Sequence, residues 1–323
     1  MPLARKHIVC LDQTPYYHIT SRCVRRAFLC GEDRQTGQSY EHRRSWIENR
    51  VRVLSSLFSV EICAYAIMSN HYHLVVRLNP EEAAKWSDDE VLGRWTAIFR
   101  GPLLVQQYRA GKQLSSAELE TLRSISAVYR RRLGSLSWFM KCLNEPIARR
   151  ANAEDGCTGH FWEARFHSQP LKSQRALLAA MAYVDLNPIR ARLARSPEES
   201  THTSLRVRIL GNETLNELAE SVAAMIEGDE VNHFDIPVRP LMPFTNTAVS
   251  QRAHPATTLP IREAEYLKLV DDTGRAVVRG KRGRIDSGMQ PILERLGLSA
   301  SQWVGASTAF RRHYRHGDLM LAA

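Results

Sequence analysis

The chain has 323 residues, carries a net charge of +10 at pH 7 and has a sequence pI of about 9.5. Hydrophobic residues make up 44% and charged residues 24%, which is the balance of a folded globular protein and excludes a disordered chain. This length suits two ordinary domains. The excess of Lys and Arg favours a polyanionic partner, because cations that neutralise phosphates release condensed counterions; a globular protein that is merely basic is the alternative.

The sequence gives no sign of membrane insertion or of a disulfide framework. The apolar run from Ile8 to Leu11 is too short for the hydrophobic region of a signal peptide, and no stretch approaches the length of a membrane-spanning helix. The 6 cysteines include no Cys-x-x-Cys pair, so they predict neither a zinc ribbon nor a disulfide scaffold. We therefore expect reduced thiols, a cytoplasmic location and no membrane partner.

The first predicted unit has the order β-α-β-β. Residues 16–23 are rich in strand-forming side chains and predict the first strand. Residues 43–58 carry apolar side chains at helical spacing and predict a helix. Residues 60–68 and 71–78 predict two more strands, which the short turn Ser69-Asn70 joins as a hairpin.

The middle of the chain predicts mainly helices. Residues 81–134 favour helix and loop, and residues 136–151 and 173–186 predict two long helices. The segment between these helices, residues 156–170, mixes aromatic, charged and glycine residues and is expected to be irregular.

Past Ser196 the character of the sequence changes. Residues 212–227 predict one amphipathic helix, and the prolines between 235 and 260 indicate a linker. We therefore expect three parts, which are a main domain over residues 1–200, a helix with a linker over 201–260, and a smaller, mainly helical basic module over 261–323.

Two histidines on the predicted hairpin are candidate metal ligands. Because strand side chains alternate, His71 and His73 point to one face, roughly 7 Å apart. The opposite face is expected to fill the core with Tyr72, Leu74, Val76 and Leu78. Two imidazoles on a rigid strand can chelate one metal ion. The alternative is a half-exposed strand with two incidental histidines.

A tyrosine and an asparagine on the last predicted long helix are candidates for the same site. Tyr183 and Asn187 are four residues apart and lie on one helical face. A tyrosine hydroxyl, with a pKa of about 10, becomes competent to attack a phosphate beside a polarising divalent ion. The amide oxygen of Asn187 can complete a metal shell. Alternatively, Asn187 before Pro188 is a helix cap and Tyr183 an ordinary half-buried aromatic.

Four blocks in a fixed order carry a family resemblance. They are residues 17–22 (YHITSR), 67–76 (IMSNHYHLVV), 159–166 (GHFWEARF) and 182–191 (AYVDLNPIRA). Together they resemble the HUH single-tyrosine transposases and, within them, look most like the REP-associated tyrosine transposases. The resemblance covers residues 7–200 and leaves residues 81–134 as an insertion between the His-x-His strand and the next matching block.

The resemblance implies a fold and a chemistry. The fold would be α+β, with an antiparallel sheet flanked by helices similar to a ferredoxin-like palm. His71 and His73 would bind Mg²⁺ or Mn²⁺, with Asn187 at the position of a third ligand. Tyr183 would attack a phosphate of single-stranded or hairpin DNA, forming a 5′-phosphotyrosine and a free 3′-OH, and a second 3′-OH would then reverse the step on a new strand.

Several basic residues are candidates for phosphate contacts. Arg22 and Arg165 lie in two of the matching blocks. In the C-terminal module, glycines alternate with cations, which lets backbone N–H groups approach a phosphate; these cations are Arg279, Lys281, Arg282 and Arg284. A flexible basic turn is the alternative. Phe161 and Phe166 are expected to pack on the core.

Three functions follow from these features. The first is a transposase that cuts and rejoins hairpin-forming DNA ends. The second is a domesticated, catalytically silent DNA-binding protein or regulator that uses the same surface. The third is a metal nuclease with water as its nucleophile, for which Tyr183 has no comparable purpose. Helix spacing leaves open whether Tyr183 serves the histidines of its own chain or of a second copy in a homodimer.

Overall fold

The structure, a computed structural model, describes residues 11–24, 29–33, 36–210, 239–245, 258–278 and 280–292 of the chain. Its four strands are β1 (Tyr16–Arg22), β2 (Val60–Ile67), β3 (His71–Leu78) and β4 (His167–Pro170). They form one antiparallel sheet with the order β2-β3-β1-β4. The predicted α+β class, an antiparallel sheet with flanking helices, is confirmed.

The predicted β-α-β-β opening is present. Helix α1 (Arg43–Leu57) follows β1, and β2 and β3 form the expected hairpin. In its turn, the Met68 N–H donates to the His71 carbonyl at 2.8 Å, and the Cys23 N–H after β1 donates to the Asn70 carbonyl at 3.0 Å. The turn is therefore tied to the neighbouring strand, which fixes the end of β3 where His71 lies.

The strand β4 was not predicted. Residues 156–170 were expected to be irregular, yet His167–Pro170 pairs with β1 along the edge of the sheet. The strand has only 4 residues, and its side chains are polar or half-exposed. It ends in a proline, which has no N–H to donate; an edge strand tolerates this, because one side of it forms no hydrogen bonds with a neighbouring strand. None of these features separates it from a loop in the sequence.

One face of the sheet, the α1 face, is packed by α1 and by helix α6 (Leu136–Glu154). The predicted core residues of β3 all lie in this cluster, against large side chains of the two helices: Tyr72, Leu74, Val76 and Leu78 from the strand, and Ile47, Leu54, Phe139 and Leu143 from the helices. Each large apolar side chain buried in this way contributes roughly 1.5–3 kcal/mol. The α1 face therefore supplies a large apolar core.

The opposite face of the sheet, the α7 face, is packed by helix α7 (Gln174–Asp185). The Ser173 side chain caps α7 by accepting from the Ala176 N–H at 3.1 Å. Small side chains from the sheet and helix meet there, with Ala64 and Ala66 of β2 and Ala176 and Ala180 of α7 buried in one cluster. Small residues let the helix backbone lie close to the sheet, so the position of α7 is fixed tightly.

Two further helices lie next to α7. The short helix α8 (Asn187–Arg190) continues from it after Leu186, and a later helix, α10 (Glu263–Arg275), packs against it. Between them, α9 (Ser204–Leu210) joins the same cluster through Leu205. The described part of the C-terminal region is thus in contact with the main domain. The three predicted domain boundaries stay predictions.

The proposed insertion forms α2 (Pro80–Lys85), α3 (Asp88–Thr96), α4 (Leu103–Arg109) and α5 (Ser116–Leu133). Arg130 of α5 ties it together, donating to the Ala83 carbonyl at 3.0 Å and pairing with Asp88 at 2.7 Å. The Arg132 guanidinium lies 4.4 Å from the centre of a Trp138 ring. These arginines therefore hold the insertion onto the α1 face of the molecule.

Several predicted elements fall outside the described residues. They are the amphipathic helix over 212–227, most of the linker over 235–260 and the chain beyond residue 292. Among the residues that are described, no helix is long and apolar enough to cross a membrane.

Candidate active site

The His-x-His pair lies on the α7 face of the sheet. His71 is half-buried and His73 is 5% exposed. Their ring centres are 4.8 Å apart and the rings are nearly perpendicular. The predicted alternation of β3 is confirmed, since Tyr72, between the two histidines, and Leu74, which follows His73, lie in the core of the α1 face. The two imidazoles therefore share one side of a rigid strand.

A third histidine, which the sequence analysis missed, contacts this pair. His18 of β1 is 1% exposed, and its Nε2 lies 3.0 Å from His73 Nδ1, with the two rings stacked at 5.1 Å. The Thr20 hydroxyl lies 3.1 Å from the same His73 nitrogen. In the tautomer with its proton on Nδ1, this one N–H of His73 donates towards His18 Nε2 and the Thr20 hydroxyl, and the Nε2 of His73 carries a lone pair. His18 therefore contacts the Nδ1 side of His73 and can orient its ring.

The sequence held only a weak signal for His18. His18, Thr20 and Arg22 alternate along β1, so their side chains point to the same side of the sheet as that of His73. Thr20 lies directly opposite His73 in the register, and His18 is opposite Val75. The pairing register decides this contact, and one residue of slip would have turned His18 to the other face.

The histidines of the site are held in their neutral form. Burial, together with the charges of Arg22 and Lys281, lowers the pKa of His71 to about 4. Burial and the neighbouring His18 lower the pKa of His73 well below its ordinary value. Burial also lowers the pKa of His18 to about 4. Neutral imidazole is the form that binds metal ions, so this environment suits ligation.

Tyr183 faces the histidines from α7. It is half-buried, and its ring centre lies 5.6 Å from that of His73 and 6.1 Å from that of His18, edge-on in both cases. The cap at Ser173 and the small residues under α7 set this position. Tyr183 and the His pair thus lie close together within one chain.

Asn187 begins α8, and its role as a ligand stays a prediction. The N-cap position of α8 is occupied by Leu186, and no side-chain capping hydrogen bond is present there. The Asn187 side chain is 5% exposed, and its Nδ2 is buried without a hydrogen-bond partner. A buried amide in this situation is costly unless a further group meets it, so the capping alternative does not account for Asn187.

The donor set fits a divalent ion in part. His73 Nε2 is buried and has no hydrogen-bond partner, so its lone pair is available to an ion, whereas the unpartnered atom of Asn187 is its amide nitrogen, a donor. Within the described ranges, no group of three or more His, Cys, Asp or Glu side chains is arranged to hold a metal. The residues present could offer a divalent ion two imidazole nitrogens and one amide oxygen, of which only the amide oxygen is a ligand type that Mg²⁺ prefers.

The candidate phosphate contacts divide into two groups. Arg22 is exposed at the end of β1, opposite His71 in the register. The Glu163 N–H donates to the Arg22 carbonyl at 2.8 Å, which brings the segment containing Arg165 alongside β1. Arg165 is exposed, whereas Phe161 and Phe166 are buried, which confirms that these two aromatics pack on the core.

The C-terminal cations are exposed where they are described. Lys281, Arg282 and Arg284 lie after α10, and Arg279 is outside the described residues. Lys281 comes close to the site, with its Nζ 5.9 Å from the centre of the Tyr183 ring. The structure therefore brings one residue of the predicted basic loop to the candidate nucleophile.

Comparisons with known proteins give one distant likeness. No family model matches the chain, and no curated protein matches it. A solved structure of a REP-associated tyrosine transposase bound to a REP hairpin aligns with 74% of this chain and 98% of its own. The sequence identity is 11% and the TM-score 0.33, so the similarity is distant and concerns the fold alone.

Proposed function

We propose that this protein cuts and rejoins single-stranded DNA at hairpin-forming ends, through a covalent bond between Tyr183 and a 5′-phosphate. The observation that carries the proposal is the meeting of Tyr183 with the His71–His73 pair, in which the rings of Tyr183 and His73 lie 5.6 Å apart. A hydroxyl nucleophile and two neutral imidazoles on rigid elements form the set that such a reaction needs.

The proposed reaction is a transesterification at phosphorus. The Tyr183 oxygen attacks the phosphorus, the bond from phosphorus to the 3′ oxygen breaks, and the phenolic proton is transferred in net terms to the leaving 3′ oxygen. The fragment on the 3′ side of the break stays on Tyr183 through its 5′ phosphate, as a phosphodiester, and the other fragment leaves with a free 3′-OH. Attack by a second 3′-OH releases Tyr183 and joins the strands, so bond energy is retained and no nucleotide cofactor is consumed.

A bound Mg²⁺ or Mn²⁺, held by His71, His73 and the amide oxygen of Asn187, would supply positive charge to the phosphate. The chain's own residues orient the reactants. His18 holds His73 through the 3.0 Å contact between their ring nitrogens, and the tight packing of α7 holds Tyr183. The net charge of +10 and the exposed Arg22 and Arg165 suit a strand that approaches along the end of β1.

The test is a denaturing gel with 3′-end-labelled hairpin DNA and Mn²⁺, comparing the wild type with Tyr183→Phe. We expect a slow-migrating, protease-sensitive adduct in the wild type alone, because Phe keeps the ring packing and removes the nucleophile. Tyr17→Phe is the matched control, since Tyr17 is fully buried in the core of the α1 face.

Two other outcomes would reject the proposal in different ways. Cleavage by both proteins without an adduct would indicate a metal nuclease that uses water. Tight binding without cleavage across a broad panel of hairpins would indicate a silent DNA-binding protein.

A further inference from the structure

The segment after α10 is anchored to the end of the α7–α8 unit. The Arg190 guanidinium donates to the Ala276 carbonyl at 2.9 Å and to the Gly283 carbonyl at 3.3 Å, and the Gly283 N–H donates back to the Arg190 carbonyl at 3.3 Å. A Cβ atom at Gly283 would lie 1.8 Å from the Ile189 carbonyl oxygen. The backbone can approach α8 this closely only because residue 283 is glycine.

This anchor determines where Lys281 lies. Lys281 stands two residues before Gly283, and its Nζ is 5.9 Å from the centre of the Tyr183 ring. Arg22 lies on the other side, exposed at the end of β1 and directly opposite His71 in the register. Two cations on separate elements therefore flank the candidate site.

We infer that Lys281, delivered by the C-terminal segment, binds the phosphate that Tyr183 attacks. The inference rests on the proposed function, because that function places a phosphate beside the Tyr183 hydroxyl. A divalent ion held by neutral ligands would keep its full charge on the histidine side of the phosphate, and a cation beside Tyr183 would add positive charge on the side of the nucleophile. An ammonium group on a flexible stem next to the nucleophile can do this.

The position of Lys281 has two consequences of opposite sign. In the DNA-free protein its positive charge repels a divalent cation at His71 and His73. When DNA is present, the same charge attracts the phosphate and lowers the barrier to its attack. Removing the charge is therefore expected to tighten metal binding without DNA and to slow cleavage with DNA.

The test compares Lys281→Gln with Lys281→Arg and with Lys112→Gln, which removes the same charge from an exposed lysine of the insertion. Single-turnover cleavage of labelled hairpin DNA at saturating Mn²⁺ is expected to slow about 100-fold in Lys281→Gln. Lys281→Arg should recover most of this loss, and Lys112→Gln should stay within about 3-fold of the wild type, as expected for a screened surface charge. The Mn²⁺ affinity of the DNA-free protein, measured by the loss of the free Mn²⁺ EPR signal, should rise in Lys281→Gln only.

A second variant changes the anchor and keeps every charge. Gly283→Ala must push the segment away from Ile189, so it should slow cleavage in the same way as Lys281→Gln. Gly288→Ala is the control, since its Cβ would meet only the flexible side chain of Asp286, at 3.3 Å.

Wild-type cleavage rates in Lys281→Gln would overturn the inference, and so would a loss no larger than that of Lys112→Gln. Weaker Mn²⁺ binding together with slower cleavage would also overturn it, because that pattern indicates local misfolding. Tyr183→Phe in the same assay separates the two proposals. If that variant cleaves like the wild type, the tyrosine mechanism fails and the inference falls with it; if Tyr183 is required while Lys281 is not, the inference alone fails.

Discussion

The two faces of the sheet differ in the size and the chemistry of the side chains that they bury. On the α1 face, large side chains such as Phe58, Phe139 and Tyr65 are almost fully buried, and both carboxylate oxygens of the buried Glu48 have hydrogen-bond partners. On the α7 face, small residues hold the helix close, and the rings of His18, His73 and Tyr183 contact one another.

The difference indicates where stability and chemistry reside. A core of large apolar side chains contributes free energy of folding, whereas a cluster of imidazole and phenol side chains held by rigid elements supplies groups that can bind a metal ion or attack a substrate. We therefore expect substitutions on the α1 face to change stability and substitutions on the α7 face to change metal binding and cleavage. The four predictions that follow test this division, from the largest expected effect to the smallest.

His73→Ala is expected to reduce metal-dependent cleavage about 1,000-fold, which corresponds to about 4 kcal/mol of lost stabilisation at the phosphate. The free energy of unfolding should fall by about 1 kcal/mol, less than in the core substitution below, because the contacts of His73 Nδ1 with His18 and Thr20 are lost. The measurement is single-turnover cleavage alongside urea denaturation. The exposed His160, replaced by Ala, is the control. Full activity in both His71→Ala and His73→Ala would remove the metal assignment.

Phe139→Ala tests the opposite face. Phe139 is fully buried and meets Phe58 edge-on with ring centres 5.6 Å apart. Truncating it should lower the free energy of unfolding by about 3–4 kcal/mol through lost burial and a residual cavity. The cleavage rate of the fraction that is still folded should be close to wild type. Phe99→Ala, at a side chain that is 36% exposed, should cost far less. A large loss of cleavage in folded Phe139→Ala would break the division between the faces.

His18→Phe tests the contact behind His73. Phe keeps a ring in the stack but removes the nitrogen that lies 3.0 Å from His73 Nδ1. Groups that orient a metal-binding histidine typically contribute 10–100-fold to affinity, and we expect Mn²⁺ affinity to fall by about that factor. Calorimetric titration of the DNA-free protein measures it. Unchanged Mn²⁺ affinity would show that His18 is only a packing residue.

Glu48→Gln tests the buried carboxylate of the α1 face by its pH dependence. Burial raises the pKa of Glu48, but hydrogen bonding and the charge of His202 outweigh this, and the net direction is downward from 4.5. A depressed pKa contributes stability above the unfolded-state value, and this stability is lost as the pH falls through the folded-state value. We expect Glu48→Gln to cost about 1–2 kcal/mol at pH 7.

The cost of Glu48→Gln should shrink below about pH 4.5, where the wild type loses the same contribution. Urea denaturation of both proteins at several pH values measures this difference. A cost that does not vary with pH would show that the Glu48 charge contributes nothing to folding.

The local patterns of the sequence predicted most of the sheet and its helices. Alternation placed His71 and His73 on one side of β3 and Leu74 and Val76 on the other, because strand geometry has a period of two whatever surrounds it. Apolar spacing predicted α1, α6 and α7 to within a few residues. The short polar strand β4 was missed, because an edge strand of 4 residues carries no periodic signal.

The candidate site divides in the same way. Tyr183, Asn187 and the His pair were predicted from spacing and resemblance, and the structure places Tyr183 in α7 and Asn187 at the start of α8. His18 and the placement of Lys281 were not predicted, because each depends on two elements that are distant in the sequence. The contact of His18 requires the β1–β3 register, and that of Lys281 requires a glycine packed on the backbone of α8.

By itself, the sequence determined which side chains share a strand face or a helix face, because those relations follow from backbone geometry within one element. Only the tertiary structure decided which faces meet. The β1–β3 register set His18 behind His73, the small residues under α7 brought Tyr183 to the histidines, and the close packing at Gly283 carried Lys281 from the C-terminal region to the tyrosine. The physical reason is that contacts across elements depend on register and packing distance, which no local pattern in the chain encodes.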